Sequence, residues 1–258
     1  MRKTIKKMMP NFLINWYLSC RMKKNSLLYR GDKVVCPICN SKFREFRPDG
    51  LTKNVICHKC GSFERHRLLW MYLNEKSDLF NVNNKIRLLH FAPEKVFYDA
   101  FSTYQNIEYY PCDFTPETYA HYAKKVKIEK IDITDISFEE NYFDIIICSH
   151  VLEHISDDTL AMSELYRVLK KGGWSILQVP IDYNRETTYE DFSITTAKGR
   201  KKAFGQDDHV RIYGRDYKDR LKKVGFVVNV DDFIKSFSQE DLVKYGLLSS
   251  HLIYNCKK

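Results

Sequence analysis

From Ile86 onward, short apolar runs alternate with stretches whose apolar positions recur at helical spacing. The clearest unit is Phe143 to Pro180, FDIIICSHVLEHISDDTLAMSELYRVLKKGGWSILQVP. Asp144-Ile-Ile-Ile-Cys148 reads as a strand buried on both faces, being apolar and rich in β-branched residues. Ser156 or Asp157 can cap a helix with apolar positions Leu160, Leu165, Val168 and Leu169. Lys170 and Lys171 suit the negative end of its dipole, Gly172-Gly173 ends it, and Trp174 to Val179 supplies the next strand. This βαβ unit implies a right-handed parallel crossover. Further strands are predicted at Ile86–Phe91, Ile107–Tyr110, Lys127–Ile131, Gly225–Val230 and His251–Cys256, with a helix over Tyr217–Val224. The pattern predicts an α/β fold built on a doubly wound, seven-stranded, mostly parallel sheet.

In such sheets ligands bind beyond the carboxyl ends of the strands, where the strand order reverses. The residues that follow the strands are His90 to Glu94, Asp113, Asp132, Cys148 to His150, and Ile181-Asp182. Acids after successive strands can accept hydrogen bonds from ribose hydroxyls and an adenine amino group, although a lone Asp is equally common in turns. Ile181 to Val210 interrupts the alternation with a polar stretch too long for an ordinary connection, which marks it as functional.

Ahead of this body stand Cys36-Pro-Ile-Cys39 and Cys57-His-Lys-Cys60. Two CxxC knuckles at this spacing offer four thiolates that close a tetrahedron around zinc. Val34-Val35 and Val55-Ile56 are short strands leading into the knuckles, and Phe43 and Phe46 are expected to pack over the site. Four sulfurs leave no open position, so a zinc held by Cys36, Cys39, Cys57 and Cys60 is structural. His58 lies between two better ligands and is expected to be exposed. A helix follows, with Ser62 as its cap and Leu68, Leu69, Tyr72 and Leu73 as its apolar stripe. Cys112 and Cys148, at strand ends, read as small core residues.

The 258 residues suffice for one large domain and a small accessory one. The boundaries fall at 1–30 for a basic helical arm, 31–62 for the ribbon and 63–258 for the main domain. Of the formal charge of +9, much sits in the arm: Arg2, Lys3, Lys6, Lys7, Arg21, Lys23, Lys24 and Arg30 all precede the first acid, Asp32. Such an arm suits weak contact with an anionic membrane surface or with nucleic acid, but a solvated face is the commoner reading. No stretch is long and apolar enough to span a bilayer. The unpaired cysteines argue against an oxidising compartment, so a cytoplasmic location is expected.

The stretch FDIIICSHVLEHISDD…ELYRVLKKGGWSILQVP closely resembles the class I S-adenosylmethionine-dependent methyltransferases, and the likeness runs in order of elements from about residue 86 to residue 256. The resemblance implies S-adenosyl-L-methionine as cofactor. It places His90, Ala92 and Glu94 in the loop after the first strand and Asp113 at the ribose. Asp132 with Ile133 falls at the adenine, and Ser149 and His150 beside the methyl donor. The family usually has GxGxG in that first loop; here it reads His90-Phe91-Ala92-Pro93-Glu94, so Glu94 or His90 is expected to meet the ammonium group of the methionine end. A narrower bacterial group pairs an N-terminal CPxC…CxxCGSxERHR ribbon with an LHxAPE loop and a late FGQxDHVRxYGxDY segment, and this chain is similar to it in all three places.

A sulfonium methyl is already electrophilic, so the protein must align the acceptor and remove its proton when it is a hydroxyl. His209 is the leading candidate base and His154 the second. Asp182, Glu190, Asp191, Asp208 and Arg211 are candidates to hold a polyhydroxylated or anionic acceptor. Glu153 is read as capping or bracing its turn. The leading expectation is O-methylation of a small or carbohydrate-linked molecule. The alternatives are an RNA methyltransferase gripping its substrate with arm and ribbon, and a non-catalytic zinc-binding interaction protein.

Overall fold

The computed structural model describes residues 11–80, 83 and 85–258, with side chains from residue 20 onward. The first third of the basic arm therefore lies outside the described residues; the rest is helix α1 (Asn11–Leu28). In chain order there follow β1 (Arg30–Val35), β2 (Lys42–Phe43), β3 (Arg47–Asp49), β4 (Thr52–Ile56), α2 (Glu64–Lys76), β5 (Ile86–Phe91), α3 (Lys95–Phe101), β6 (Ile107–Asp113) and β7 (Glu129–Lys130). Then come β8 (Phe143–Ser149), α4 (Asp158–Val168), β9 (Leu169–Gln178), β10 (Tyr189–Glu190), α5 (Ala197–Phe204), β11 (Arg211–Ile212), α6 (Tyr217–Lys223), β12 (Val227–Asp231), α7 (Gln239–Tyr245) and β13 (Ile253–Lys257). The described residues form two compact units, one holding those up to residue 80 with 118–123 and 232–252, the other the remainder.

The second unit carries the seven-stranded sheet, in the order β12-β13-β9-β8-β5-β6-β7. β9, β8, β5, β6 and β7 pair in parallel, whereas β13 is antiparallel to both β12 and β9. The central strands are buried on both faces, as their continuous apolar runs require; Leu88, Leu89, Ile146, Ile147 and Ile176 are fully enclosed. The strand order runs one way from β5 through β6 to β7 and the other way from β8 to β9. The switch point therefore lies between β5 and β8.

Asp157 caps α4 by accepting from the Leu160 N–H at 2.9 Å, one of the two caps the sequence offered. Three local readings change. β9 starts at Leu169, so Lys170 to Gly173 belong to the strand and its irregular register with β8 rather than to a turn. Leu160 faces solvent at 45 % exposure, and α4 is anchored instead through Ala161, Met162, Leu165 and Val168. The third predicted strand shortens to two residues. Cys112 and Cys148 are core residues whose burial pushes their thiols well up.

In the first unit, two small antiparallel pairs, β1–β2 and β3–β4, carry the knuckles. Phe43 and Phe46 are buried beside Cys36 and Cys57, as expected. Arg67, read from sequence only as lying off the apolar stripe of α2, is fully buried. Its guanidinium donates to the carbonyls of Ser62 (2.9 Å), Tyr245 (2.6 Å) and Gly246 (2.7 Å) and lies over the Phe46 ring. One side chain thus closes the ends of both a knuckle and α7. Gly246 ends α7 with φ +59°, and a Cβ there would meet Phe46 at 2.6 Å, so no larger residue fits.

Candidate functional site

At the switch point the chain leaves β5 through Ala92, at φ +48°, the left-handed region where the family's pattern has glycine. The Ala92 N–H donates to the Cys112 carbonyl at 2.9 Å, which holds the turn against β6. His90 is completely buried. Its Nδ1 meets the Tyr109 hydroxyl at 2.9 Å and its Nε2 meets Glu94 Oε2 at 3.0 Å. Both ring nitrogens are engaged inside the protein, so the expected contact of His90 with a methionine ammonium gives way to a bracing contact on Glu94. The Glu94 side chain is one-fifth exposed at the mouth of the loop.

Asp113 at the end of β6 and Asp132 beyond β7 adopt the same local form. Each accepts, through Oδ1, from the backbone N–H and hydroxyl of the threonine two residues on, at 2.7 and 3.0 Å for Thr115 and 2.9 and 2.7 Å for Thr134. These turns fix the orientation of both carboxylates. Ile133, between Asp132 and Thr134, is buried.

β8 ends at Ser149, and His150 follows at φ +57°, its N–H bonded to the Gln178 carbonyl at 2.8 Å. A 3₁₀ turn over Leu152–His154 comes next. Glu153, expected only to cap or brace, is 2 % exposed and central. Its Oε1 accepts from His150 Nδ1 at 3.3 Å, and its Oε2 is buried without a hydrogen-bond partner among the described residues. Its backbone carbonyl accepts from Val210 N at 3.0 Å, which brings the late segment alongside. His154 and His209 consequently stand edge to face, ring centroids 4.7 Å apart, and His154 Nδ1 donates to the Asp208 carbonyl at 3.3 Å. Burial lowers the pKa of His209, opposed by the charge of Glu153. The sequence carried the signal for Glu153 in the tight spacing His150-x-x-Glu153-His154, but not its burial.

The candidate acceptor residues divide. Asp208 is largely exposed beside His154. Asp182 turns the backbone at Asn184 and pairs with Arg185 at 3.2 Å. Asp191 accepts from Ser193 N and Oγ, which holds its carboxyl below the usual range. Arg211 is 1 % exposed and donates to the carbonyls of Leu152, Ile155 and Ser156 and to Glu190 at 2.9 Å. Glu190 also pairs with Arg220. Arg211 is thus buried in a scaffold, shared with Glu190, that holds the turn after β8 against β11, and is closed to the acceptor contact expected of it.

The ribbon cysteines form the second centre. The Cys36 and Cys60 sulfurs are 3.6 Å apart and those of Cys39 and Cys57 3.7 Å, against about 3.8 Å for the edge of a tetrahedron with zinc–sulfur bonds of 2.3 Å. The knuckles repeat each other: Cys36 N donates to Ser41 O and Cys57 N to Ser62 O, and the residues after the second cysteines, Asn40 and Gly61, both have positive φ. Hydrogen bonds among the four thiols push Cys36 far below the ordinary thiol range and Cys57 and Cys60 well above it, as expected of sulfurs crowded into one cluster. Such a donor set fits zinc. Two expectations change here. His58 is buried and stacks on Tyr29 at 4.2 Å. Ser62 does not cap α2; its Oγ lies 3.4 Å from Cys36 Sγ and 3.2 Å from Cys60 Sγ.

Among the described residues no helix is long and apolar enough to cross a membrane. Residues 96–177 match the model of a methyltransferase domain family. No curated protein matches the chain by sequence. Among solved structures, an S-adenosylmethionine-dependent methyltransferase from Mesorhizobium loti is similar at TM-score 0.51 and 14 % identity, over 74 % of this chain and 98 % of that one. The [4+2]-cyclase SpnF is similar at TM-score 0.50 and 13 % identity, over 83 % of this chain and 86 % of that one. Likeness at this identity shows the fold, which hosts more than one chemistry; the family match adds the reaction class. Residues 96–177 thus belong to a methyltransferase domain, on a sheet with the fold of the S-adenosylmethionine-dependent methyltransferases, in a chain that also carries a four-cysteine ribbon.

Proposed function

We propose that the chain transfers a methyl group to a hydroxyl of a small or carbohydrate-linked acceptor, at the histidine cluster beyond β8. The observation that carries this reading is the Glu153–His150 pair, a buried carboxylate oriented on an imidazole directly after the strand that ends at the switch point. Bound S-adenosylmethionine supplies an electrophilic methyl on a sulfonium. Asp113 and Asp132 hold the nucleoside end, and Glu94, braced by His90, faces the ammonium group.

With Nδ1 donating to Glu153, His150 presents Nε2 as a lone pair, the arrangement of a carboxylate-oriented general base. This reading gives His150 the proton-accepting role first assigned to His209. His209 and His154, also in the cluster, complete the catalytic surface with lone pairs of their own. Asp208, which is exposed, and Asp182 and Asp191, which are half-buried, take the acceptor's hydroxyls. The non-catalytic reading is set aside by the methyltransferase domain.

A second reading is favoured by α5, where Lys198, Lys201 and Lys202 are exposed on one short helix: an acceptor carrying phosphates, RNA included. Methyl transfer from labelled cofactor to a panel of nucleotide sugars, compared with transfer to total RNA, separates the two. The hydroxyl reading predicts label on the sugar panel that is lost in His150→Ala with cofactor affinity retained. Label confined to RNA would replace it.

A further inference from the structure

Glu153, His154 and His209 are grouped so that one ligand atom from each lies within 4.8 Å of the others. Two imidazoles and a carboxylate are the donor set of open, three-ligand sites for divalent first-row ions. Three further observations point to a cation. Glu153 Oε2 is buried with no hydrogen-bond partner among the described residues, an arrangement that costs a carboxylate oxygen heavily unless something positive meets it. His154 donates Nδ1–H to a backbone carbonyl, which fixes the tautomer and leaves Nε2 as a lone pair; this is the outer contact that metal-bound histidines characteristically make. His209 is 6 % exposed, and its ring makes no hydrogen bond among the described residues.

Alternatives explain less. A purely structural cluster would satisfy the Glu153 carboxylate with donors, as Arg211 satisfies Glu190 in the adjacent scaffold. Water can occupy the space, but water brings no charge to a buried carboxylate hydrogen-bonded, among the described residues, to His150 alone. Ligands of one ion stand about 3–4 Å apart, so small side-chain torsions bring these three atoms onto a common centre.

We propose that Glu153, His154 and His209 bind a divalent transition ion, of the zinc or iron(II) class, in a site with open positions facing the acceptor. The site is separate from the ribbon and opposite to it in character: nitrogen and oxygen donors instead of sulfur, and open instead of closed. Glu153 serves both halves of the cluster, Oε1 orienting His150 and Oε2 ligating. The role of the ion rests on the hydroxyl-acceptor reading. An acceptor hydroxyl in contact with the ion becomes more acidic and gives its proton to His150 Nε2. Its oxygen then bonds the sulfonium methyl as the carbon–sulfur bond breaks, and the sulfur leaves as a neutral thioether.

The test uses the full chain with its ribbon zinc in place, titrated with Co2+. A second equivalent is expected to bind, with ligand-field absorption but without the thiolate charge-transfer band that a sulfur site gives. His209→Asn and Glu153→Gln are each expected to weaken that equivalent by about 100-fold or more while ribbon zinc and S-adenosylmethionine affinity, measured on the same samples, stay unchanged. No second cobalt on the wild-type chain overturns the proposal, as does a second cobalt held equally well by His154→Ala/His209→Asn. Cobalt binding with these losses, in a chain that methylates no hydroxyl acceptor, supports the site and overturns the acceptor reading alone.

Discussion

Glu153 accepts from His150 through Oε1 at 3.3 Å, and the residue it holds sits at φ +57°, in backbone space that side chains avoid. A strained histidine oriented by a buried acid, at the end of the central strand, is the arrangement expected of a working group. Strain and function separate by substitution. His150→Gly relieves the backbone and is expected to be more stable than His150→Ala by about 1 kcal/mol in urea unfolding, although both lose turnover. If alanine proves the more stable, φ is not the source of strain.

The ribbon offers a sharper case for an outer contact. Ser62 Oγ touches two of the four sulfurs, so Ser62→Ala leaves the ligands intact but removes a hydrogen-bond partner common to Cys36 and Cys60. Zinc affinity, read by competition with a chelator, is expected to fall about tenfold or more. Cys36→Ser is expected to lower the zinc content below one ion per chain and unfold the ribbon. Retention of the full zinc content in that variant would remove the four-sulfur assignment.

The sequence made legible whatever depends on local period and spacing. The strands of the sheet, the cap at Asp157, the two knuckles and the acids after β6 and β7 are all local signals. It misled where the deciding partner lies far along the chain. Arg211 looked like an acceptor ligand because a sequence displays charge and hides burial; its carbonyl partners are at Leu152, Ile155 and Ser156, brought near only by the pairing of Val210 with Glu153. His58 looked exposed because its neighbours are ligands, while Tyr29, which covers it, lies in another element. Ser62 had the right residue type for a cap and a better partner in sulfur.

Asp158 anchors that scaffold. It is 1 % exposed and accepts from Arg220 Nη2 at 2.6 Å and the Tyr213 hydroxyl at 2.7 Å, with Arg211 Nε at 3.7 Å. Asp158→Asn keeps the shape but leaves the buried Arg211 and the partly buried Arg220 guanidinium to share Glu190 as their one counter-charge, at a cost of about 3 kcal/mol. Adding Arg220→Met to that variant is expected to restore part of the loss, since it removes one of the uncompensated charges. Additive losses in the double variant would mean that the two residues act independently.

Acid stability tests a different pair. Glu164 on α4 accepts from Arg167 at both carboxylate oxygens, 2.7 Å each, and Oε2 also accepts from Ile136 N at 2.9 Å. Arg167 in turn donates to the carbonyls of Ile136 and Phe138, so the pair ties the loop before β8 to the helix after it. The Arg167 hydrogen bonds, with a smaller share from Ile136, hold the Glu164 carboxyl below the usual carboxylate range. In the interval between the folded and unfolded values the unfolded chain binds more protons, so stability rises with pH there. The contribution is complete above the ordinary carboxylate value and is lost as pH falls through the lower folded one. Wild type and Glu164→Gln are therefore expected to differ by about 1–2 kcal/mol at pH 7, trimmed by solvent at the outer face of Arg167. The gap should narrow below about pH 4. A gap that stays constant from neutral pH down to about pH 3 would mean that the shape of the side chain, and not its charge, holds the loop.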